Sequence, residues 1–299
     1  MAFFGNGVIH NMTFGCGDEF DASAWAGLKI LEGRFEGTNY RLLGSGAPIV
    51  LVHGVGADLE MWRPLAMRLA NTQTVICYDM LGHGESNKPA GPYSLALFVE
   101  QLHRLTADLN FSQFDLLGFS MGGLVSQGFA LTHPECVNRL ILLNTVFDRS
   151  EKEREAVMHR VETSRKDGTA IVETALQRWF TPEFAAKNPD IVSCMRQRMI
   201  DNDRDAYASA YSVFATADQE LAPVVNRITA PTLIVTGEFD SNSTPEMARN
   251  LAAKLVKGQA AILPNQRHMP PLEAPDELAK MVLDFLTQPL PDVVMEQPQ

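Results

Sequence analysis

The sequence predicts an α/β protein built on a mostly parallel, doubly wound sheet that carries an inserted helical cap. Two observations carry this prediction. Short apolar runs that suit buried strands alternate with longer segments of helical periodicity, which is the pattern of parallel strand–helix–strand units. The alternation stops after Asn144 and returns at residue 232, and the segment between has a helical pattern with many charges and no strand-like run. An insertion into one sheet explains both observations.

The predicted elements follow one another regularly. A strand pair over 33–43 precedes the first buried strand at 48–52, where the sequence PIVLV is apolar throughout. Before the insertion, the predicted elements are a helix at 58–71, a strand at 74–78, a helix at 94–109, a strand at 114–117, a helix at 121–132 and a strand at 139–143. Beyond it they are a strand at 232–236, a helix at 245–256, a strand at 260–263 and a helix at 275–286.

These elements divide the 299 residues into four parts. Residues 1–27, rich in Gly and Asn, are expected to form an N-terminal extension, and 28–146 with 221–287 to form the α/β core. Residues 147–220 are expected to form the helical cap. The last stretch, 288–299, has three prolines and no periodicity, which is typical of a loose tail.

Composition and charge narrow the classes of function. Apolar residues make up 45% of the chain and charged residues 20%, which fits a globular protein, and no apolar run approaches the roughly 18 residues that span a bilayer. Lys and Arg number 25 against 36 Asp and Glu, a net charge of −11 that repels nucleic acid. We therefore expect a small-molecule substrate, with no nucleic-acid or membrane partner, while a homo-oligomer is compatible with the sequence.

The cysteines and the N-terminal residues bear on the cellular compartment. The four cysteines are widely spaced, with no CxxC pair and no zinc-ligand spacing, so reduced thiols are expected. Residues 1–27 contain no Lys or Arg and no long apolar stretch, unlike a signal peptide. These features predict a cytoplasmic protein.

The strongest chemical signal is the sequence GFSMG at 118–122, which follows the apolar strand at 114–117 and opens a predicted helix. This setting of strand, turn and helix is the one that a G-x-S-x-G nucleophile elbow requires. The glycines permit the tight turn, and the turn exposes the Ser120 hydroxyl at the carboxyl edge of the sheet. Ser120 is therefore the candidate nucleophile.

A serine nucleophile needs a histidine base and a carboxylate that orients the base. Asp240 follows the first predicted strand beyond the insertion and His268 follows the second, so both emerge at the same sheet edge as Ser120. Of the seven histidines, only His268 combines this place with the expected chain order. For the carboxylate, Asp148 and Glu238 stay open as alternatives to Asp240.

Acyl transfer also needs two N–H donors for the oxyanion. Met121 follows the nucleophile at the start of a helix, where the helix dipole assists a donor. The loop HGVG at 53–56 follows the first buried strand and reaches the same edge of the sheet. Met121 and Val55 are therefore the candidate oxyanion donors.

With these motifs the chain resembles the α/β-hydrolase family from about residue 34 to residue 287. The stretch DMLGHGES at 79–86 is similar to the D-x-x-G-x-G-x-S turn common in that family. In the cap, the sequence RWFTPEF at 178–184 is most similar to 3-oxoadipate enol-lactonases. The resemblance implies the α/β-hydrolase fold, a Ser-His-Asp triad, and hydrolysis of an ester-like bond without a metal or cofactor.

Three residues are candidates for substrate binding. The Arg178 side chain suits a carboxylate and Trp179 suits the wall of an apolar pocket, although a solvated charge and a packing aromatic explain them equally well. Trp62, close in sequence to the oxyanion loop, is the third candidate, although core packing explains it better.

The predicted function is hydrolysis of a small ester-like substrate, a lactone or enol-lactone of aromatic catabolism, through an acyl-enzyme. Hydrolysis of carbon–carbon bonds in ring-fission products, amide hydrolysis, general esterase action and perhydrolysis use the same triad and stay open. Haloalkane dehalogenases and epoxide hydrolases are excluded because they have Asp where this chain has Ser120. A receptor that keeps the triad to sense a ligand is the alternative of another class.

Overall fold

The structure is a computed structural model that describes residues 30–166 and 168–289, and in these ranges the chain forms eight strands and eleven helices. The strands are β1 (Ile30–Phe35), β2 (Thr38–Gly44), β3 (Ala47–Val52), β4 (Gln73–Tyr78), β5 (Phe114–Phe119), β6 (Val137–Leu143), β7 (Thr232–Gly237) and β8 (Gly258–Leu263). The helices are α1 (Arg63–Leu69), α2 (Leu95–Asp108), α3 (Met121–Thr132), α4 (Glu151–Lys166), α5 (Gly168–Trp179), α6 (Pro182–Lys187), α7 (Pro189–Asp201), α8 (Arg204–Leu221), α9 (Pro245–Lys254), α10 (Pro270–Glu273) and α11 (Pro275–Leu286). The predictions for the extension at 1–27 and for 290–299 of the tail lie outside the described residues.

The described strands form one sheet in the order β1-β2-β4-β3-β5-β6-β7-β8. The six strands from β3 to β8 run parallel, and the hairpin of β1 and β2 adds an antiparallel edge. The predicted mostly parallel, doubly wound sheet is confirmed. Because β3 pairs with β4 on one side and with β5 on the other, the strand order reverses around β3. Ligand sites of open α/β sheets lie at the carboxyl ends of the strands beside such a reversal.

Helices cover both faces of the sheet, so the central strands β5 and β7 are buried along their whole length, while the edge strands β1 and β8 expose some residues. Along β3, Val50 and Val52 pack into the apolar layer beneath α2, α3 and α9. The alternate residues Ile49 and Leu51 pack into the opposite layer, beneath α1 and α11. All four side chains are fully buried. The continuous apolar run of the sequence at 48–52 is therefore the mark of a strand enclosed on both sides.

Five helices, α4 to α8, intervene between β6 and β7 in the described chain, where the sequence predicts the cap. Within this group α4 packs on α8 and α5 packs on α7. The helix α8 also packs on the core helix α3, which begins at the predicted nucleophile elbow. The cap thus rests on the core next to the elbow.

A buried ion pair ties the start of the cap to its end. Arg149 precedes α4 and Asp218 lies in α8, and their side chains are 3% and 1% exposed. Arg149 Nη1 donates to Asp218 Oδ1 at 3.0 Å, and the Arg149 backbone N–H donates to Oδ2 at 3.0 Å. The guanidinium also lies 4.4 Å from the centroid of the Phe214 ring. These contacts hold α8 against the segment that leads into the cap.

Replacing Asp218 by Asn is expected to lower the free energy of unfolding by about 3 kcal/mol, because it leaves the Arg149 charge buried without its counter-ion. The matched control is Glu173→Gln, which breaks the exposed Arg196–Glu173 pair of the same cap and is expected to cost less than about 1 kcal/mol. Urea unfolding of both variants measures the two free energies. Equal losses would show that the buried pair contributes no more than the surface pair.

Two further observations concern thiols and membranes. Cys77, Cys136 and Cys194 are free thiols, as the sequence predicts, and Cys16 lies outside the described residues. Every helix in the described ranges is too short or too polar to cross a bilayer.

Candidate active site

Ser120 occupies a sharp turn between β5 and α3. Its backbone has φ 53° and ψ −115°, in a region that side-chain-bearing residues rarely adopt and that costs about 1–3 kcal/mol. Two hydrogen bonds from the neighbouring segment fix this turn: the Ser120 N–H donates to the Leu143 carbonyl at 2.9 Å, and the Ser120 carbonyl accepts from the Thr145 side-chain Oγ1 at 3.0 Å. The last residue of β6 and the loop that follows it therefore hold both the N–H and the carbonyl of the strained serine.

Two glycines make this turn sterically feasible. A Cβ atom on Gly118 would lie 2.3 Å from the Gly122 carbonyl oxygen, and one on Gly122 would lie 2.2 Å from the Val52 carbonyl oxygen. Non-bonded heavy atoms do not approach so closely, so only glycine allows α3 to start this near to β3 and β5. The two glycines of the GFSMG motif thus allow the tight turn that the sequence predicts.

His268 and Asp240 form a buried pair on the loops that follow β8 and β7. His268 Nδ1 lies 2.6 Å from Asp240 Oδ2, and the side chains are 6% and 1% exposed. The other carboxylate oxygen, Oδ1, accepts from the backbone N–H groups of Asn242 at 2.9 Å and Ser243 at 3.1 Å. With the Nδ1 proton donated to the carboxylate, Nε2 is the nitrogen that can accept a proton from a nucleophile.

The environment of Asp240 keeps its carboxyl group ionised. Burial by itself would raise the pKa of Asp240, but the charge of His268 and the hydrogen bonds from His268, Asn144 and the Asn242 N–H outweigh it and lower the pKa below its ordinary value. An ionised carboxylate at this place can orient the imidazole and stabilise the imidazolium that forms during catalysis.

Asn144 belongs to the site, and sequence reasoning did not identify it. Its Nδ2 atom donates to Asp240 Oδ2 at 2.8 Å and to the Arg267 carbonyl at 3.2 Å. Asn144 directly follows β6, and its backbone has φ 45°. In this conformation the side-chain amide reaches the loop that follows β7. The one signal in the sequence is its place immediately after a predicted strand. Its amide does not titrate, so the residue type indicates no acid–base role.

Ser120 and His268 line one cavity of about 600 Å³, measured out to its open mouth. No hydrogen bond of standard geometry joins Ser120 Oγ to His268 in the described residues, and such bonds are often loose before a substrate binds. The larger apolar side chains of the wall are those of Phe119, Ile171, Trp179, Met199, Phe214 and Met269.

The two candidate oxyanion donors both lie close to Ser120 in the fold. Val55 lines the cavity beside Ser120, and Met121 is the first residue of α3. In the described residues, neither backbone N–H donates to a backbone carbonyl. The cap steadies the Val55 loop, since Asn202 Nδ2 donates to the Gly56 carbonyl at 3.1 Å. The assignment of the two amides as oxyanion donors remains a prediction.

Trp179 and Arg178, at the end of α5, both line the cavity. The Trp179 ring lies 6.3 Å from the His268 ring, with 28° between their planes. Its carbonyl accepts from the backbone N–H groups of His268 at 3.1 Å and Met269 at 3.2 Å. The cap residue Trp179 therefore both walls the cavity and fixes the loop that carries His268.

Three more polar cap residues line the cavity without having been identified from the sequence. They are Arg160 of α4 and Tyr207 and Tyr211 of α8. Helical periodicity indicates which face of a helix is buried, but it does not say what that face meets, so these residues carried no signal.

The prediction of Trp62 as a substrate-binding residue is wrong. Its side chain is fully buried and is not among the residues that line the cavity. A short 3-10 turn over Leu59–Trp62 directs the ring into the core, where it packs edge-on against Phe119 at 6.2 Å between centroids. Phe119, and not Trp62, presents its ring to His268, at 5.0 Å.

The alternative carboxylates lie apart from the imidazole. Asp148 is exposed and borders a separate groove near the start of α9. Glu238 is also exposed, and its Oε2 atom accepts from the Asn265 N–H at 2.9 Å. Asp240 is the carboxylate that contacts His268 in the described structure.

Comparison with known proteins agrees with this architecture. Residues 47–275 match the sequence profile of the family described as alpha/beta hydrolase fold. The chain belongs to the α/β-hydrolase fold family. It is 37% identical over 244 residues to the (E)-2-((N-methylformamido)methylene)succinate hydrolase of Acinetobacter baylyi, a match that covers 81% of this chain and 91% of that protein.

Two further relatives are named as enol-lactonases. The 3-oxoadipate enol-lactonase 2 of Acinetobacter baylyi is 31% identical over 240 residues, which cover 79% of this chain and 88% of that protein. The crystal structure of the enol-lactonase from Burkholderia xenovorans LB400 superposes with a TM-score of 0.80 at 30% identity, covering 86% of this chain and 100% of that chain. The predicted resemblance to enol-lactonases is confirmed, and the protein is an enzyme of the α/β-hydrolase family.

Acid is expected to remove the stabilisation that ionised Asp240 gives to the folded state. A carboxyl group whose pKa falls on folding stabilises the protein above its unfolded pKa of about 3.9 and loses that contribution as the pH falls through the folded value. The difference in free energy of unfolding between the wild type and Asp240→Asn should therefore be largest near about pH 5 and shrink toward about pH 3. Urea unfolding across this range measures the difference, and growth of the difference on acidification would contradict an ionised Asp240.

Proposed function

We propose that this protein is a cytoplasmic serine hydrolase that uses no cofactor and cleaves an acyl bond of a small carboxylate-bearing substrate. Ser120 is the nucleophile, His268 the base, and Asp240 the residue that orients the base. One observation carries the proposal: His268, whose Nδ1 atom lies 2.6 Å from Asp240 Oδ2, lines the same cavity as the strained Ser120. Strained turns of this kind persist where function requires them.

The proposed reaction has two balanced halves. Ser120 Oγ attacks the substrate carbonyl while its proton passes to His268 Nε2, and the amides of Val55 and Met121 stabilise the oxyanion. The tetrahedral intermediate then expels the leaving group, which takes the proton from His268 and leaves an acyl group on Ser120. Water repeats the attack with the same base, which releases the carboxylic acid and restores the serine.

An enol-lactone is the first candidate substrate. The two enol-lactonases, at 31% and 30% identity, support it, and so do the apolar and cationic side chains that line the cavity. Arg178 at the wall would hold the substrate carboxylate through its planar guanidinium, and Trp179 would flank the apolar part of the substrate. A local cation is needed because the whole chain, with a net charge of −11, repels anions.

Amide hydrolysis is the second candidate. The observation in its favour is the 37% identity to a protein whose name describes hydrolysis of an N-methylformamido compound of succinate. An amide nitrogen leaves only after it gains a proton. In this proposal protonated His268, which lines the cavity, donates that proton. Both candidate reactions use the same triad and differ in the leaving group.

Steady-state turnover on a substrate panel tests the proposal. The panel contains an enol-lactone, an enamide of a carboxylic acid, a vinylogous diketone ring-fission product and p-nitrophenyl acetate. The enol-lactone or the enamide is expected to exceed p-nitrophenyl acetate in kcat/KM by about 100-fold, which is about 2.7 kcal/mol of transition-state discrimination. Preference for the ring-fission product would contradict both candidates, and a single turnover with a lasting adduct would indicate a receptor.

Two serine variants separate the nucleophile from its surroundings. Ser120→Ala is expected to lower kcat by about 10⁴-fold or more, because it removes the group that forms the acyl-enzyme. The matched control is Ser126→Ala, in the same helix, where the buried hydroxyl has no hydrogen-bond partner among the described residues. Ser126→Ala should keep the wild-type kcat. Activity that survives in Ser120→Ala would refute Ser120 as the nucleophile.

A further inference from the structure

Two cap arginines meet at the cavity that holds Ser120. Arg160 comes from α4 and Arg178 from the end of α5, and both line the wall. The described lining contains no Asp or Glu. Neither guanidinium has an ion-pair partner among the described residues. The cavity thus carries two positive charges that the protein itself does not neutralise.

The Arg178 side chain is poised for a ligand. Its Nε atom is enclosed and has no hydrogen-bond partner in the described part of the chain. Burial lowers the pKa of Arg178, and the nearby charge of Arg160 lowers it further, which shows that the two cations repel each other. Asp240 attracts Arg178 from a distance, but both oxygens of that carboxylate already have partners. A guanidinium remains charged even here, so the repulsion between the two arginines is a cost to the folded protein.

Two tyrosines complete the polar part of the wall. Arg160 Nε donates to the Tyr211 hydroxyl oxygen at 3.1 Å, which fixes the direction of the guanidinium. Tyr207 is partly buried, and this burial, with Tyr211 beside it, raises the pKa of the Tyr207 phenol far above its ordinary value. A phenol that stays protonated is a hydrogen-bond donor for an anionic oxygen.

We propose that Arg160 and Arg178 together select substrates with two free carboxylates, one for each guanidinium. This inference rests on the proposed hydrolase function and names its substrate class. A single carboxylate would neutralise one of the two partly buried charges and leave the other without a counter-ion, whereas a dicarboxylate neutralises both. Each planar guanidinium matches one carboxylate through paired hydrogen bonds, so the two together fix the substrate at both ends. Whichever acyl bond is cleaved, the carboxylates then set the scissile carbonyl relative to Ser120.

Binding to the Ser120→Ala variant tests this proposal apart from catalysis. The probes are succinate, glutarate, monomethyl succinate, butyrate and sulfate, each titrated calorimetrically at equal ionic strength. A dicarboxylate is expected to bind at least tenfold more tightly than monomethyl succinate or butyrate, because esterification removes the partner of one arginine. Equal affinity for monomethyl succinate would overturn the proposal, and equal affinity for sulfate would reduce the site to one for any anion.

Arginine variants in the Ser120→Ala background locate the preference. Arg160→Gln and Arg178→Gln should each lower dicarboxylate affinity at least tenfold and change butyrate affinity less. The matched control is Arg196→Gln, an arginine of the same cap that pairs with Glu173 on the surface. Loss of dicarboxylate affinity in Arg196→Gln as large as in the cavity variants would overturn the assignment. If the wild type fails to hydrolyse any acyl substrate while dicarboxylates still bind selectively, the hydrolase proposal fails and the two-arginine site stands.

Discussion

The close approach of α3 to the ends of β3 and β5 is the constraint on which the site depends. No side chain fits between Gly122 and the Val52 carbonyl, so α3 begins directly against the strand that precedes the Val55 loop. With α3 in this position, Ser120 lies in a strained turn before the helix, and the N–H of Met121 lies at the start of the helix. Because β3 and β5 are neighbours in the sheet, with Val52 opposite Gly118, the Val55 loop must lie beside the serine. One packing contact thus brings the nucleophile and both candidate oxyanion donors to the same place.

The two charged groups Asp240 and Arg178 differ in how the protein surrounds them. The Asp240 carboxylate is buried among donors, from His268, Asn144 and two backbone amides, so its ionised form is favoured despite burial. The guanidinium of Arg178 is half-buried, its Nε atom has no hydrogen-bond partner among the described residues, and its burial lowers its pKa. The fold satisfies the first charge, which in the proposed mechanism orients the base. In our proposal a ligand satisfies the second charge, and this distinguishes it from the structural ion pair of Arg149 with Asp218.

The parts of the site that could be predicted from the sequence are those that follow strands. Parallel strands end at one edge, so chain order alone predicts that the loops of Ser120, Asp240 and His268 meet there. Asn144 also follows a strand, but its role depends on the geometry of a positive-φ turn that the sequence does not display. Trp62 shows the opposite case. Its nearness in sequence to the Val55 loop suggested the cavity, whereas the 3-10 turn over Leu59–Trp62 directs the ring into the core.

The cap was the least predictable part because helical periodicity marks a buried face without naming its partner. That limit matters here, since the cap supports the catalytic loops as well as covering them. The Trp179 carbonyl holds the backbone at His268, and Asn202 holds the Gly56 carbonyl next to Val55. If His268 is the base and Val55 an oxyanion donor, as we propose, we expect cap substitutions that break these hydrogen bonds to shift both groups. We therefore expect a cap variant that changes substrate choice without changing rate to be one that leaves these hydrogen bonds intact.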